Sequence, residues 1–465
     1  MSTSSQMEHV QRTLRTVSVQ CDLSALDADL DAEPEVLMCP ITRTVFRDPV
    51  MAVVSGHTYE RIAILSHFER NGARDPLTNC ALSSAKVMTN WAMRNVVQDW
   101  LDKHPGVTPD GWDSRELLEP SKDDGTRTFD DEGDVGVLRT WRAMCPELQE
   151  RWLEDEQPEE WEGVTIENGR VVELLLDEFG LTGTVPAEVG HLSALRVLDL
   201  EYNQLTSLPA EIGQLASLTR LNLSNNRLTS LPAEIGQLTS LEWLALSNNR
   251  LTSVPAEIGQ LTSLRHLWLR GNQLASLPAE IGQLTSLRYL DLGYNQLTSL
   301  PAELGQLASL QKLVLYHNQL TSLPAEIGQL ASLRELYLYN NQLTSLPAEI
   351  GQLTSLKHLY LDHNKLTSLP AEIGQVTSLR ELVLDGNRLT SLPAEIGQLT
   401  LLEKLDLDKN QLTSLPAEIG QLTELRTLTL RGNQLTSMPA EIGQLTGCEV
   451  ALDSGVTVDY TILSG

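Results

Sequence analysis

Asparagine returns at every 23rd residue from Asn203 to Asn433, eleven times in register. Around each copy stands nearly the same phrase, as at Leu218, Leu221, Leu223, Asn226 and Leu228, followed by Thr-Ser-Leu-Pro-Ala-Glu-Ile-Gly-Gln-Leu over residues 229–238. A fixed period of this length means one small unit copied many times. Such a unit cannot bury its apolar side alone, so neighbours must stack into one continuous core. The Leu-x-Leu alternation predicts a short strand with leucines inward and the intervening residues outward. The Pro-Ala-Glu-Ile-Gly-Gln-Leu segment then covers the opposite side, with its Ile and Leu inward. The Asn amide offers two donors and an acceptor where the chain turns out of the strand.

With its period and its spacing of leucines, the phrase resembles the leucine-rich-repeat family. The resemblance implies an α/β solenoid, a horseshoe with a parallel sheet on its concave face. It also implies that each Asn is buried and bonded to backbone in a ladder. Upstream, Val137, Leu138, Trp141, Met144, Leu148 and Trp152 recur mostly at three- and four-residue steps, which predicts an amphipathic helix. Trp161-Glu-Gly-Val164 and the apolar run that follows resemble the N-terminal cap of plant-type members. Secreted members carry a cap disulfide, and no such cysteine pair stands here. The first copy is one residue longer, with Phe179 in place of Asn. Past Thr446 the phrase decays, and alternation around Asp453-Ser-Gly455 predicts a closing hairpin.

Convex positions are nearly identical from copy to copy, whereas concave positions differ. In the middle copies the concave positions hold Trp243; His266, Trp268 and Arg270; Tyr289, Asp291 and Tyr294; Lys312, Tyr316 and His317; Glu335, Tyr337 and Tyr339; and His358, Tyr360, Asp362 and His363. Rings on a water-facing sheet suit protein recognition, because each offers a large rigid surface with a polar tip. The candidate substrate-binding residues are therefore Trp243, His266, Trp268, Tyr289, Tyr316, Tyr337, Tyr339, His358 and Tyr360. The competing reading is that strands accept aromatics by propensity alone. The histidines have no local ligand motif, so no metal and no cofactor is expected.

A chain of 465 residues exceeds one core. Residues 1–33 are polar and read as a disordered segment, 34–104 as a small folded domain, and 105–134 as an acidic flexible linker rich in Pro, Gly and Asp. Residues 135–465 form the repeat domain, with an N-terminal cap to 180, repeats over 181–446 and a C-terminal cap over 447–465. Net charge is −28, which argues against nucleic acid and anionic membrane as partners. No apolar leader and no run of about 18 apolar residues is visible. Five scattered cysteines build neither a disulfide framework nor a zinc pair. A reduced compartment is expected, cytoplasm or nucleus.

The small domain carries Cys39-Pro-Ile-Thr42, then Phe46-Arg-Asp-Pro-Val50, Gly56-His-Thr-Tyr-Glu-Arg61, Asp75-Pro-Leu-Thr78, and Asn90-Trp-Ala-Met-Arg94 with a closing Trp100. In that order these segments resemble the U-box family over nearly its whole length. Read from the residues alone, Val50 to Val54 is a short strand, Ser55-Gly56 a turn, and Thr58 the cap of a helix running to about Arg70. Asn90 can cap a second helix. A RING finger needs eight Cys/His ligands, whereas only Cys39, His57, His67 and Cys80 are present, in no ligand spacing. The resemblance implies a zinc-free domain that docks a ubiquitin-conjugating enzyme carrying ubiquitin. It implies contacts from Ile41 and Pro76, with Arg43 nearby and Asn79 where relatives hold ubiquitin and the conjugating enzyme together.

The expected function is that of a ubiquitin-protein ligase without a covalent intermediate, with a protein substrate chosen by the concave face. The alternative is a non-catalytic interaction or sensor protein whose U-box is inactive or dimerises.

Overall fold

The computed structural model describes residues 129–459, together with 49–52, 58–60, 64, 67, 74–77 and 87–89. The chain divides into two compact units, residues 1–125 and 126–465.

In the first unit, β1 (Pro49–Ala52) lies between β2 (Thr58–Glu60) and β3 (Val87–Thr89), antiparallel to both. Thr58 therefore belongs to a strand and pairs with Met51, not to a helix cap. Ile64 and His67 are helical. The alternation of Thr58-Tyr59-Glu60 puts Tyr59 inside, fully buried, and its hydroxyl reaches the buried Asp75 carboxylate at 3.0 Å. The expected second helix from Asn90 lies outside the described residues.

The second unit opens with α1 (Phe129–Met144) and α2 (Pro146–Arg151). Residues 129–134, which composition places in the linker, are part of α1, with Gly133 kinked at φ 54°. The reason is Asp134: it is buried, accepts the Val171 N–H at 2.8 Å and pairs with Arg170 at 3.0 Å. Of the predicted apolar face, Val137, Leu138, Trp141, Leu148 and Trp152 are buried, while Met144 is exposed. Trp152 and Trp161 stack in parallel at 4.9 Å, and each indole N–H finds a carbonyl, Glu162 at 2.9 Å and Leu153 at 3.0 Å. Gly163 has φ 79°, and a Cβ there would lie 2.0 Å from the Leu175 carbonyl oxygen, so this position requires glycine.

Next come β4 (Val164–Glu167) and β5 (Arg170–Leu175), an antiparallel pair that starts a 14-stranded sheet. From β5 onward every neighbour is parallel, one strand per repeat, ending at Glu449–Ala451. Equivalent residues pair across the strands, as Trp243 with His266 and Tyr289 with Lys312. In each strand from Val197–Asp199 to Thr427–Thr429 the leucine turns inward and is buried completely, as Leu244 and Leu267 are. The opposite side carries short 3₁₀ turns such as Ala279–Gln283, with Ile281 buried and Glu280 half-buried. A Cβ on Gly282 would meet the next repeat's Glu303 carbonyl oxygen at 2.4 Å, which is why this side tolerates only glycine at the stacking contact.

The Asn ladder has the expected form. Asn318 accepts the Leu297 N–H at 3.0 Å and donates to the Leu292 and Leu315 carbonyls at 2.9 and 3.0 Å. Each amide thus ties its own coil to the preceding one. The closing hairpin does not form. Glu449–Ala451 joins the main sheet and Thr457–Asp459 pairs with Ser437–Pro439, both in parallel. The last coil follows the path of the repeats, so its two segments fall on different sides of the core.

Candidate functional site

All nine predicted ring positions on the sheet face are half-buried. The 23-residue period makes equivalent residues neighbours, and the structure brings the rings into three groups. Trp243 and Trp268 lie 4.7 Å apart, with His266 stacked on Trp268 at 5.4 Å and Tyr289 beside it at 5.3 Å. Tyr316 and Tyr339, each two residues past the end of its strand, stack in parallel at 4.5 Å. Tyr337 and Tyr360, the last residues of successive strands, stack in parallel at 4.8 Å. His358 does not join a ring group; its Nδ1 lies 3.7 Å from Glu381.

Cations pin the rings. Arg220 sits 4.2 Å over Trp243, Arg270 lies 5.0 Å from Tyr294 and 5.6 Å from Tyr316, and Lys312 is 4.8 Å over Tyr337. Lys312 also pairs with Glu335 at 2.8 Å. Burial pushes the Glu335 carboxyl up, yet hydrogen bonds from Lys312 and Tyr337 outweigh it and hold the group below its usual range. Small residues beside the indoles, Ser224, Ala245 and Ser247, leave a hollow of about 480 Å³ in front of Trp243 and Trp268. Glu201, Arg270 and Asp291 supply its charged rim and floor.

The phenols are donors throughout the physiological range. Burial, then the Asp291 charge, pushes Tyr289 up to about 12; burial and neighbouring phenols push Tyr339 up to about 12. Burial raises Tyr360 too, with its hydroxyl given to Glu381 at 2.6 Å. Burial lowers His266, helped by Arg288 and Arg265, so its ring is neutral at neutral pH. Asp291, buried, is raised by desolvation despite the Gly293 N–H it accepts at 2.9 Å.

The residue just before each ladder Asn carries a feature not legible in the repeat phrase. All eleven have positive φ, from 52° at Lys409 to 71° at Gly432. Six are Gly or Asn, which accept this conformation cheaply. Tyr202, Tyr294, His317, His363 and Lys409 hold it at a cost. Tyr294 is 45% exposed and stacks on His317 at 4.3 Å, which extends the Tyr316–Tyr339 group.

The sequence of residues 170–457 matches the family model for the leucine-rich repeat region in four overlapping stretches, 170–285, 253–338, 302–386 and 371–457. The chain is a leucine-rich-repeat protein. Residues 33–106 of this leucine-rich-repeat protein match the U-box domain model. There it is 44% identical over 71 residues to the E3 ubiquitin-protein ligase CHIP of Arabidopsis thaliana, a stretch that is 15% of this chain and 25% of that relative. The repeat unit is similar to the solved structure of PEPR1–AtPEP1, with 29% identity, a TM-score of 0.63, and 70% of this chain and 48% of that one covered. It is also similar to the Arabidopsis receptor kinase HAESA in complex with the peptide hormone IDA and the co-receptor SERK1, at 27% identity and a TM-score of 0.50, over 70% of this chain and 66% of that one.

In the U-box of this leucine-rich-repeat protein, Pro76 is half-buried on a turn that Asp75 fixes. The Asp75 carboxylate accepts the Tyr59 hydroxyl and the Leu77 N–H, each at 3.0 Å. Leu77 itself is 55% exposed, an apolar side chain beside Pro76 at the variable position of Asp75-Pro-x-Thr78. Ile41, Arg43 and Asn79 lie outside the described residues. Among the described residues no helix is long and apolar enough to cross a membrane.

Proposed function

We propose that this protein is a ubiquitin ligase whose U-box docks a ubiquitin-conjugating enzyme and whose repeat sheet face captures the protein to be modified. Support for ligation comes from the U-box match and from the named ligase it resembles there. Support for capture comes from the ring band, which core packing does not require. The observation that carries the reading is the union of these two features in one chain. The U-box does no covalent chemistry. It holds the ubiquitin thioester of the conjugating enzyme near a substrate lysine, which is catalysis by orientation. Ile41, Arg43, Pro76 and Asn79 form the docking contact, and the exposed Leu77 adds to it. A partner on the sheet face inserts an anchor side chain into the hollow before Trp243 and Trp268, and its backbone meets the phenol donors beyond. The peptide hormone named with the HAESA receptor makes an extended peptide a natural occupant.

Autoubiquitination with a panel of conjugating enzymes tests the first half. Wild type forms chains, Pro76→Ala and Leu77→Ala together abolish them, and thermal unfolding stays nearly unchanged. Chain formation that survives both changes would place docking elsewhere. No chains with any enzyme of the panel would favour the non-catalytic alternative.

A further inference from the structure

On the sheet face, the residue preceding the first outward position forms a row along one edge: Arg265, Arg288, Gln311, Arg334, Lys357, Arg380. The ends of this row are paired. Arg265 meets Glu242 at 3.4 Å, and Arg380 meets Glu403. The middle is not. Among the described residues, Arg288, Arg334 and Lys357 form no ion pair and no side-chain hydrogen bond, and all three are exposed. They flank the rings Tyr289, Tyr337 and Tyr360. Arg270, inside the band, likewise rests on tyrosine faces rather than on a carboxylate. This is unexpected in a chain of net charge −28, where carboxylates outnumber cations and could neutralise each site. Arg270, Arg288, Arg334 and Lys357 are left open on the one face whose rings lack a packing role, although Lys312 there pairs with Glu335.

From this charge pattern we infer that the sheet face selects an extended acidic segment, whose carboxylates line up on Arg288, Arg334 and Lys357 while apolar or aromatic anchors sit on the rings. The inference rests on the sheet face being the capture surface. Geometry sets the spacing. Adjacent strands are about 4.8 Å apart, so Arg288 and Arg334, two strands apart, are separated by about 10 Å, and Lys357 follows about 5 Å on. A peptide extended as a polyproline II helix advances about 3.1 Å per residue with three residues per turn, so carboxylates about three positions apart share a face and span the two arginines. The band from the Trp243 strand to the Tyr360 strand crosses six strands, about 24 Å, which an extended segment of about eight residues covers. Complementary charge along this edge fixes orientation and rejects basic segments, while the rings supply most of the affinity.

The test is selection of a 12-residue peptide library, with phosphorylated and unphosphorylated members, on the full chain. The expected winners are unphosphorylated peptides with Leu or aromatic anchors and Asp or Glu about three positions apart. Arg288→Glu with Arg334→Glu should turn the preference at those positions to Lys or Arg while keeping the anchors. The best acidic peptide should lose about tenfold or more in affinity to Arg288→Ala/Arg334→Ala/Lys357→Ala, and should bind more weakly as salt rises. Selection of basic or uncharged peptides, selection only of phosphorylated ones, an unchanged preference in the charge-reversed variant, or no enrichment at all would overturn the inference. The capture reading is judged separately with Trp268→Ala. If that change leaves acidic peptides bound as before, the sheet face is not the capture surface. If rings matter and charge does not, only the acidic preference falls. Exposed positions should leave the melting temperature unchanged, which excludes misfolding as the cause.

Discussion

The two sides of each repeat obey opposite rules. On the 3₁₀ side, Pro-Ala-Glu-Ile-Gly-Gln-Leu hardly changes, because Ile281, Gly282 and their equivalents in all but the last copy are enclosed and stack on the next coil. On the sheet side the same register carries Trp, His, Tyr, Lys, Glu and Asp in turn. Packing dictates the first set. The second set is free of packing, yet it is not filled with inert residues. It includes stacked phenols, indoles under a guanidinium, and tyrosine and histidine in a backbone conformation that favours glycine. The lesson is that uniformity marks what holds the fold, and costly variety marks the face we propose for capture.

The largest effect expected from breaking this contrast is on stability. Asn318→Ala leaves the buried Leu297 N–H without its partner, while the Leu292 and Leu315 carbonyls each lose one of two amide donors and keep Asn295 and Asn341. An unpaired buried group costs about 1–3 kcal/mol, and with two weakened carbonyls beside it a loss of about 2–3 kcal/mol is expected in denaturant melts. Because coils couple to their neighbours, hydrogen exchange should rise first around residues 292–318. A melt like that of wild type would remove the ladder from the account.

The second effect is on capture alone. Trp268→Ala with Tyr337→Ala should cost about 2 kcal/mol or more in partner affinity, roughly thirtyfold, while autoubiquitination persists. Loss of autoubiquitination would mean that the rings serve the fold or the U-box, not recognition.

Tyr294→Gly sharpens the comparison, since it should move stability and capture in opposite directions. Relief of the left-handed backbone should raise stability by up to about 1 kcal/mol, less what the lost stacking on His317 returns. Capture should weaken. If both fall, the ring is structural.

The smallest effect concerns Asp291. Its carboxyl is raised by burial, so the folded state favours the protonated form. The resulting penalty is full above the raised value, and it disappears as pH falls below the ordinary carboxylate range. Asp291→Asn keeps an acceptor for the Gly293 N–H and removes the buried charge. A rise in melting temperature of about a degree is expected at pH 7, shrinking toward pH 4. A gain that grew on acidification would reverse the sign and contradict the assignment.

Much of this was legible before any coordinates. The 23-residue period specifies coil length and inward leucines, because each follows from a residue repeated at one place in a stack, and the leucine-rich-repeat resemblance implies the Asn ladder. The period also brings Tyr316 beside Tyr339 and Tyr337 beside Tyr360. Other features lay beyond it. Positive φ before each Asn was hidden because Tyr294, His317 and Lys409 mask what Gly271 and Asn248 would suggest. Thr58 looked like a helix cap, but pairing with Met51 placed it in a strand; tertiary hydrogen bonds outrank local cap preference. The turn residues Asp453 to Gly455 suggested a hairpin, yet both flanking segments paired with earlier strands of the stack. The open cations Arg288, Arg334 and Lys357 emerged only once partners could be sought in space.

The central claim is that one side of the stack holds the fold and the other meets the partner. The most direct measurement is photo-crosslinking of the full chain with a photoreactive phenylalanine at Tyr337, on the sheet, or at Ala325, exposed on the 3₁₀ side. The account predicts a discrete adduct from Tyr337 that ring substitution at Trp268 diminishes, and none from Ala325. An adduct from Ala325 with none from Tyr337 would contradict it.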